Sequence, residues 1–135
     1  EIGGVARVLG YRLNRMAARP GQTLLVTVYW QPEAVTDRPY TVFVHLYYPS
    51  VGSIAQYDAY PGVNGVYATT AWAPGKPFVD IYPLSLPKDT PPVGEAQIIL
   101  GLYDAPTGQR LPATGQAAGT KEESWVKLGN VQVRP

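Results

Sequence analysis

The sequence predicts an all-β fold, an antiparallel immunoglobulin/fibronectin III-like β-sandwich of seven to eight strands. Three observations carry this. Apolar residues recur with period two along most of the chain, and a helical period is almost absent. The 14 Pro and 14 Gly stand between those runs as punctuation rather than in clusters. Strand-like runs return at roughly 8–12-residue intervals, the spacing of a sandwich. A chain of 135 residues fits one domain, 1–135, long enough to bury a core without disulfide or metal staples.

The elements follow in order. VARVLGYRL (5–13) alternates Val5, Arg7, Leu9, Tyr11 and Leu13 on one face. RLNRMAARP (12–20) is the best helical stretch, and Pro20 stops it. After a turn at RPG (19–21), QTLLVTVYW (22–30) sets Leu24, Val26, Val28 and Trp30 against Thr23, Leu25, Thr27 and Tyr29. QPEAVTDRP (31–39) is a polar loop. YTVFVHLYY (40–48) puts Val42, Val44, Leu46 and Tyr48 on one face and Thr41, Phe43, His45 and Tyr47 on the other. PSVG (49–52) is a hairpin turn into SIAQYDAY (53–60).

Residues 61–77 form a Gly/Pro-rich segment with little periodicity, and long structureless loops of this kind are often functional. FVDIYPLSL (78–86) is a strand in which Pro83 removes a ladder donor, so it belongs at an edge or a bulge. PKDTPPVGE (87–95) is a stiff connection. AQIILGLYD (96–104) is the most central strand, with Ala96, Ile98, Leu100 and Leu102 on one face. APTG (105–108) is a type I turn with Gly108 in the left-handed position, leading back through QRLPA. TGQAAGTKEES (114–124) reads as a mobile segment, and WVKLGNVQV (125–133) closes the chain.

Composition excludes several functions. With no cysteine there is no disulfide, zinc–thiolate site, iron–sulfur cluster or cysteine nucleophile. A net charge of +1 with scattered Lys and Arg gives no basic patch, so no nucleic-acid partner is expected. No stretch approaches the ~20 apolar residues of a membrane helix. The chain starts at Glu1 rather than Met, which reads as a fragment or a processed product. Contact with a membrane would come only through a parent protein.

No catalytic pattern stands out. His45 is the only histidine, and no serine sits in a GxSxG elbow. Asp58 and Asp80 are the two acids inside strands and could meet across neighbouring strands as a glycosidase pair. Asp89, Asp104 and Asn64 are loop residues of a type that binds calcium, but there is no DxDxDG loop. No phosphate-binding glycine motif is present, and no cofactor or metal is expected.

Aromatic residues carry more: 3 Trp, 10 Tyr and 2 Phe. If Val42, Val44 and Leu46 face the core with Ile98, Leu100 and Leu102, then Phe43, His45, Tyr47, Ile99 and Tyr103 face outward. In an immunoglobulin-like topology strands 40–48 and 96–104 are neighbours. Those side chains then form an aromatic patch, with Gly101 leaving a gap beside His45. A patch of this kind needs a cover. The loop carrying Tyr67 and Trp72 is expected to fold over it; a ligand or partner chain is the alternative. The candidate ligand-binding set is therefore Phe43, His45, Tyr47, Tyr67, Trp72 and Tyr103, with no catalytic residue and no metal ligand.

The order TVFVHL, WAPGKP, LSLPKDTPPVG, GLYDAPTGQRLP and LGNVQV resembles a β-rich domain at the extracytoplasmic C-terminal end of bacterial multi-pass membrane proteins. Those proteins are similar to dolichyl-phosphate-mannose-type glycosyltransferases. The resemblance spans about residues 5–133, and VFVHL and GLYDAPTGQRLP are its most specific pieces. The chain departs from the pattern at PSVG, where an Asp–Pro–x–Gly turn is usual, and at Ala96, where an aromatic residue usually follows the Pro–Gly corner. The resemblance implies an outside-facing accessory domain at the cell surface, not the catalytic part. The functional expectation is a non-catalytic binding module for a glycan or cell-surface polymer. The alternative is an assembly module that joins proteins or copies of itself.

Overall fold

In the computed structural model the chain is all-β, with strands in two main sheets. The structure describes residues 1–62, 67–92, 94–115 and 124–135. Asn64, Glu122, Glu123 and most of the segment 114–124 lie outside the described residues. Among those described, seven strands have eight residues or more: β1 (Ala6–Leu13), β3 (Thr23–Pro32), β4 (Thr41–Tyr48), β5 (Gly52–Ala59), β6 (Phe78–Ser85), β7 (Gly94–Asp104) and β9 (Val126–Val133). Two two-residue strands, β2 (Ala17–Ala18) and β8 (Gln109–Arg110), complete the set. The best helical stretch of the sequence forms no helix; it holds the end of β1, a bend and β2.

One sheet has the order β1-β3-β6. The other has the order β2-β9-β7-β4-β5, with β8 paired to β7. All pairs are antiparallel except β2 with β9. The period-two pattern explains the layering. Leu24, Val26, Val28 and Trp30 of β3 pack into one core with Val42, Val44 and Leu46 of β4 and Ala96, Ile98, Leu100 and Leu102 of β7. Burying an aliphatic or aromatic side chain at each such position contributes roughly 1.5–3 kcal/mol.

Turn chemistry falls where the glycines predict it. Gly52 (φ 97°) closes the β4–β5 hairpin, and Gly108 (φ 73°) donates its N–H to the Asp104 carbonyl at 2.7 Å in the β7–β8 hairpin. β6 is an edge strand paired only with β3, so the missing N–H of Pro83 breaks no ladder bond.

The structure departs from the simple alternation in β1. A bulge between Val8 and Gly10 leaves Leu9 51% exposed and moves the core-facing register to Ala6 and Val8, then Leu13; Tyr11, which pairs with Val28, stays 42% exposed. An extra residue in one strand flips every following side chain, and the sequence pattern hides this. The Tyr11 ring then reaches β9, where a Cβ at Gly129 would strike it.

A buried polar network joins β3 to β6 within the smaller sheet. Trp30 Nε1–H donates to the Tyr82 hydroxyl at 2.8 Å, and Tyr82 donates to Asp80. Burial, chiefly, with the adjacent Asp80 charge, holds the Tyr82 pKa well above its ordinary value. Replacing Tyr82 by Phe orphans a buried indole N–H, and we expect a loss of about 1–3 kcal/mol. Urea denaturation of Tyr82→Phe measures it; an unchanged midpoint would show that the bond contributes nothing.

Candidate ligand-binding cleft

The cleft lies on the outer face of the larger sheet, and strand register builds it. Phe43 pairs with Gly101 on β7 and with Asp58 on β5. His45 pairs with Ile99 and with Gln56. Tyr103 pairs with Thr41 on one side and Arg110 on the other. Phe43, His45, Gln56, Asp58, Tyr103, Gly108 and Arg110 thus line a cleft of about 190 Å³.

Its floor is aromatic. Phe43 lies 5.3 Å from the His45 ring and 6.1 Å from Tyr103, centroid to centroid. The Arg110 guanidinium sits 4.3 Å above the Phe43 ring, an arrangement favoured by the negative ring face. Phe43 is only 1% exposed and Ile99 only 2%, yet neither belongs to the central core.

A polar line runs along the cleft. The Tyr103 hydroxyl donates to Asp58 Oδ2 at 2.9 Å. Asp58 Oδ1 lies 3.8 Å from His45 Nε2, beyond hydrogen-bond reach. On the other side of the ring, His45 Nδ1 and the Ser53 hydroxyl are 2.8 Å apart. The carboxylate facing Nε2 favours the tautomer with its proton there, so Nδ1 accepts from Ser53.

Burial lowers the His45 pKa below its ordinary 6.5; the Asp58 carboxylate opposes this and the Arg110 guanidinium adds to it. Burial, and then the hydrogen bond and charge of Asp58, raise the Tyr103 pKa. A depressed histidine binds more protons unfolded than folded, so stability falls as pH drops below about 6.5 toward the folded value. Above that range the effect vanishes. We expect urea midpoints of the wild type to fall faster between pH 7 and 5 than those of His45→Gln. Parallel slopes would contradict the depressed pKa.

The structure reassigns part of the predicted set. Phe43, His45 and Tyr103 meet in the cleft. Tyr47 pairs with Gln97 and Ser53, past a bulge at Leu46, and does not line it. Tyr67 and Trp72 do not cover the aromatic face. Trp72 is 3% exposed and packs on Trp30 at 5.7 Å and Phe78 at 5.0 Å, with its indole N–H donated to the Tyr67 carbonyl. Tyr67 stacks edge-on against Phe78 at 4.8 Å. Their segment, with a 3-10 turn at Thr69–Ala71, plugs the core beside β6 instead. Gly101 lies opposite Phe43 rather than His45, and the phenyl ring fills the space of the missing Cβ.

The carboxylate pair is not formed. Asp58 faces outward on β5, while Asp80 is 3% exposed on β6 and accepts the Gly62 N–H at 2.6 Å. Ser53, His45 and Asp58 supply the residue types of a hydrolytic triad, but the His–Asp separation lacks the orienting hydrogen bond of one. Asp104 is taken by Arg38 at 3.3 Å and Thr107 at 2.8 Å. Among the described residues no three His, Cys, Asp or Glu side chains form a metal-binding group.

Sequence reasoning missed Gln56, Arg110 and Ser53. One hairpin turn carried a signal: counting from APTG sets Arg110 opposite Tyr103, whereas counting from PSVG sets Tyr57 opposite Phe43, and only the bulge between Leu46 and Tyr47 brings Asp58 there instead.

No family model and no curated protein matches this chain. Among solved structures, the chain is similar to Spo0M, a sporulation control protein from Bacillus subtilis, with 18% identity and a TM-score of 0.51. The match covers 98% of this chain and 50% of Spo0M, so the chain spans half the length of that neighbour, and the likeness is one of β-rich fold.

Proposed function

We propose that this chain is a non-catalytic binding module that holds a saccharide in the cleft between β4, β5 and β8. The observation that carries the reading is the half-buried Tyr103 ring, backed by the buried Phe43 ring, beside the polar line Tyr103–Asp58–His45. A ring face matches the apolar C–H face of a pyranose, and the polar line supplies directional contacts at its rim. The proposed architecture is an immunoglobulin-like sandwich. The β1-β3-β6 order against β9-β7-β4-β5 supports it, since it matches the A-B-E and G-F-C-C′ arrangement of such domains. The proposed location is extracytoplasmic, supported by the resemblance of VFVHL and GLYDAPTGQRLP to accessory domains of membrane glycosyltransferase-like proteins.

An oligosaccharide panel followed by NMR tests the reading. The His45 and Tyr103 rings line the cleft, so their resonances report on it directly. We expect a millimolar ligand to shift both rings and Asp58→Asn to weaken it about tenfold. A panel that moves neither ring rules the reading out.

A second reading, assembly with a protein or a second copy, has its own observation. The outer face of β3 and β6 presents Leu25, Val79 and Ile81, the last two 55% and 52% exposed, on paired strands. Contiguous apolar surface of this kind marks interaction sites. Sedimentation at rising concentration is expected to show association that Ile81→Lys abolishes; a monomer throughout removes self-association.

A further inference from the structure

We infer that His45 Nε2 and Asp58 Oδ1 form a recognition pair for one sugar hydroxyl, which limits the cleft to an uncharged pyranose ring. This rests on the saccharide reading above.

The gap between the two atoms is 3.8 Å. That is too long for a direct hydrogen bond, and it lets one oxygen lie within bonding distance of both. The chemistry of the two atoms specifies that oxygen. Nδ1 is engaged by Ser53, which leaves Nε2 to present a proton. Asp58 Oδ2 is engaged by Tyr103, which directs Oδ1 as an acceptor at the gap. The bridging group must therefore accept from Nε2 and donate to Oδ1. A hydroxyl does both. A carboxylate only accepts and an ammonium only donates, so each leaves one partner unmet.

Size and charge point the same way. About 190 Å³ is below the roughly 300–1,000 Å³ of sites that enclose drug-sized ligands, and suits one ring. The described charges facing the cleft, Asp58 and Arg110, are of opposite sign. For an acidic or an amino sugar the attraction to one of these charges is offset by repulsion from the other, which leaves the cost of desolvating its own charge; a neutral polyol carries no such cost.

The test is an NMR titration of the chain at pH 7.5. The probes are the neutral methyl glycosides of glucose, mannose and galactose, together with glucuronate and glucosamine. The expected result is that at least one neutral glycoside shifts the His45 and Tyr103 rings with a millimolar Kd. Glucuronate and glucosamine bind at least about tenfold more weakly. Asp58→Asn, checked for an unchanged melting temperature, and His45→Phe each weaken the neutral sugar about tenfold. If a charged sugar binds as tightly as the neutral ones through the same rings, the limit to uncharged rings is wrong; if a neutral sugar binds but neither variant weakens it, the hydroxyl pair is wrong; in both cases the saccharide reading stands. If no sugar moves either ring, or shifts appear only outside the cleft, both are wrong.

Discussion

Replacing Trp72 by alanine is expected to cost the fold about 3–5 kcal/mol, the range for emptying a buried tryptophan site. Trp72 is 3% exposed and shares contacts with Trp30, Tyr67 and Phe78. Its indole N–H also anchors the Tyr67 carbonyl at 3.0 Å, so truncation loosens the segment that closes this side of the core. Domains carry roughly 5–15 kcal/mol of stability, and the variant should sit near the margin. Trp72→Phe keeps a ring in place and is expected to lose about half as much. Urea denaturation of both variants measures the cost. The cleft supplies the contrast, because Trp72 does not line it. In folded Trp72→Phe the His45 and Tyr103 ring resonances should stay where they are in the wild type. A variant with intact stability and displaced cleft resonances would return Trp72 to the ligand-binding role that the sequence suggested.

Replacing Gly101 by valine is expected to destabilise by about 3 kcal/mol, the upper part of the usual range for overpacking. The cause is steric. A Cβ at this position would overlap the Phe43 ring and crowd the Ser124 carbonyl at 3.1 Å. The ring has little room to move, with Arg110 above it and His45 and Tyr103 beside it. Backbone strain is not involved, since Gly101 is absent from the positive-φ glycines. Shortening Phe43 should therefore rescue the variant. In a double-mutant cycle, Gly101→Val with Phe43→Leu is expected to cost clearly less than the sum of the single changes. Thermal melts should show a drop on the order of 10 °C for Gly101→Val alone. Additive losses would mean that ring and glycine are not coupled.

The strands of this protein were legible because alternation is a local property. Val42, Val44 and Leu46 point inward in YTVFVHLYY, as period two requires, and Ala96 to Leu102 match them on β7. The turns were legible at Gly52 and Gly108, where a left-handed residue is needed. Pro83 announced an edge strand because it cannot donate. Pattern alone could not give the bulge at Leu9, which depends on how β1 meets β3.

The site divides along the same line. That Phe43, His45 and Tyr103 share a face follows from spacing within two strands. What covers that face depends on contacts between distant segments, such as Tyr103 with Asp58, 45 residues apart. Tyr67 and Trp72 were free by sequence to cover the patch or to fill the core. The core took them, since Trp30 and Phe78 offered rings to bury against. Alternation and turns were readable along the chain, because both are set within a few residues of backbone. Register across the sheets and the burial of Tyr67 and Trp72 came from the assembled fold, because burial is a property of the whole chain.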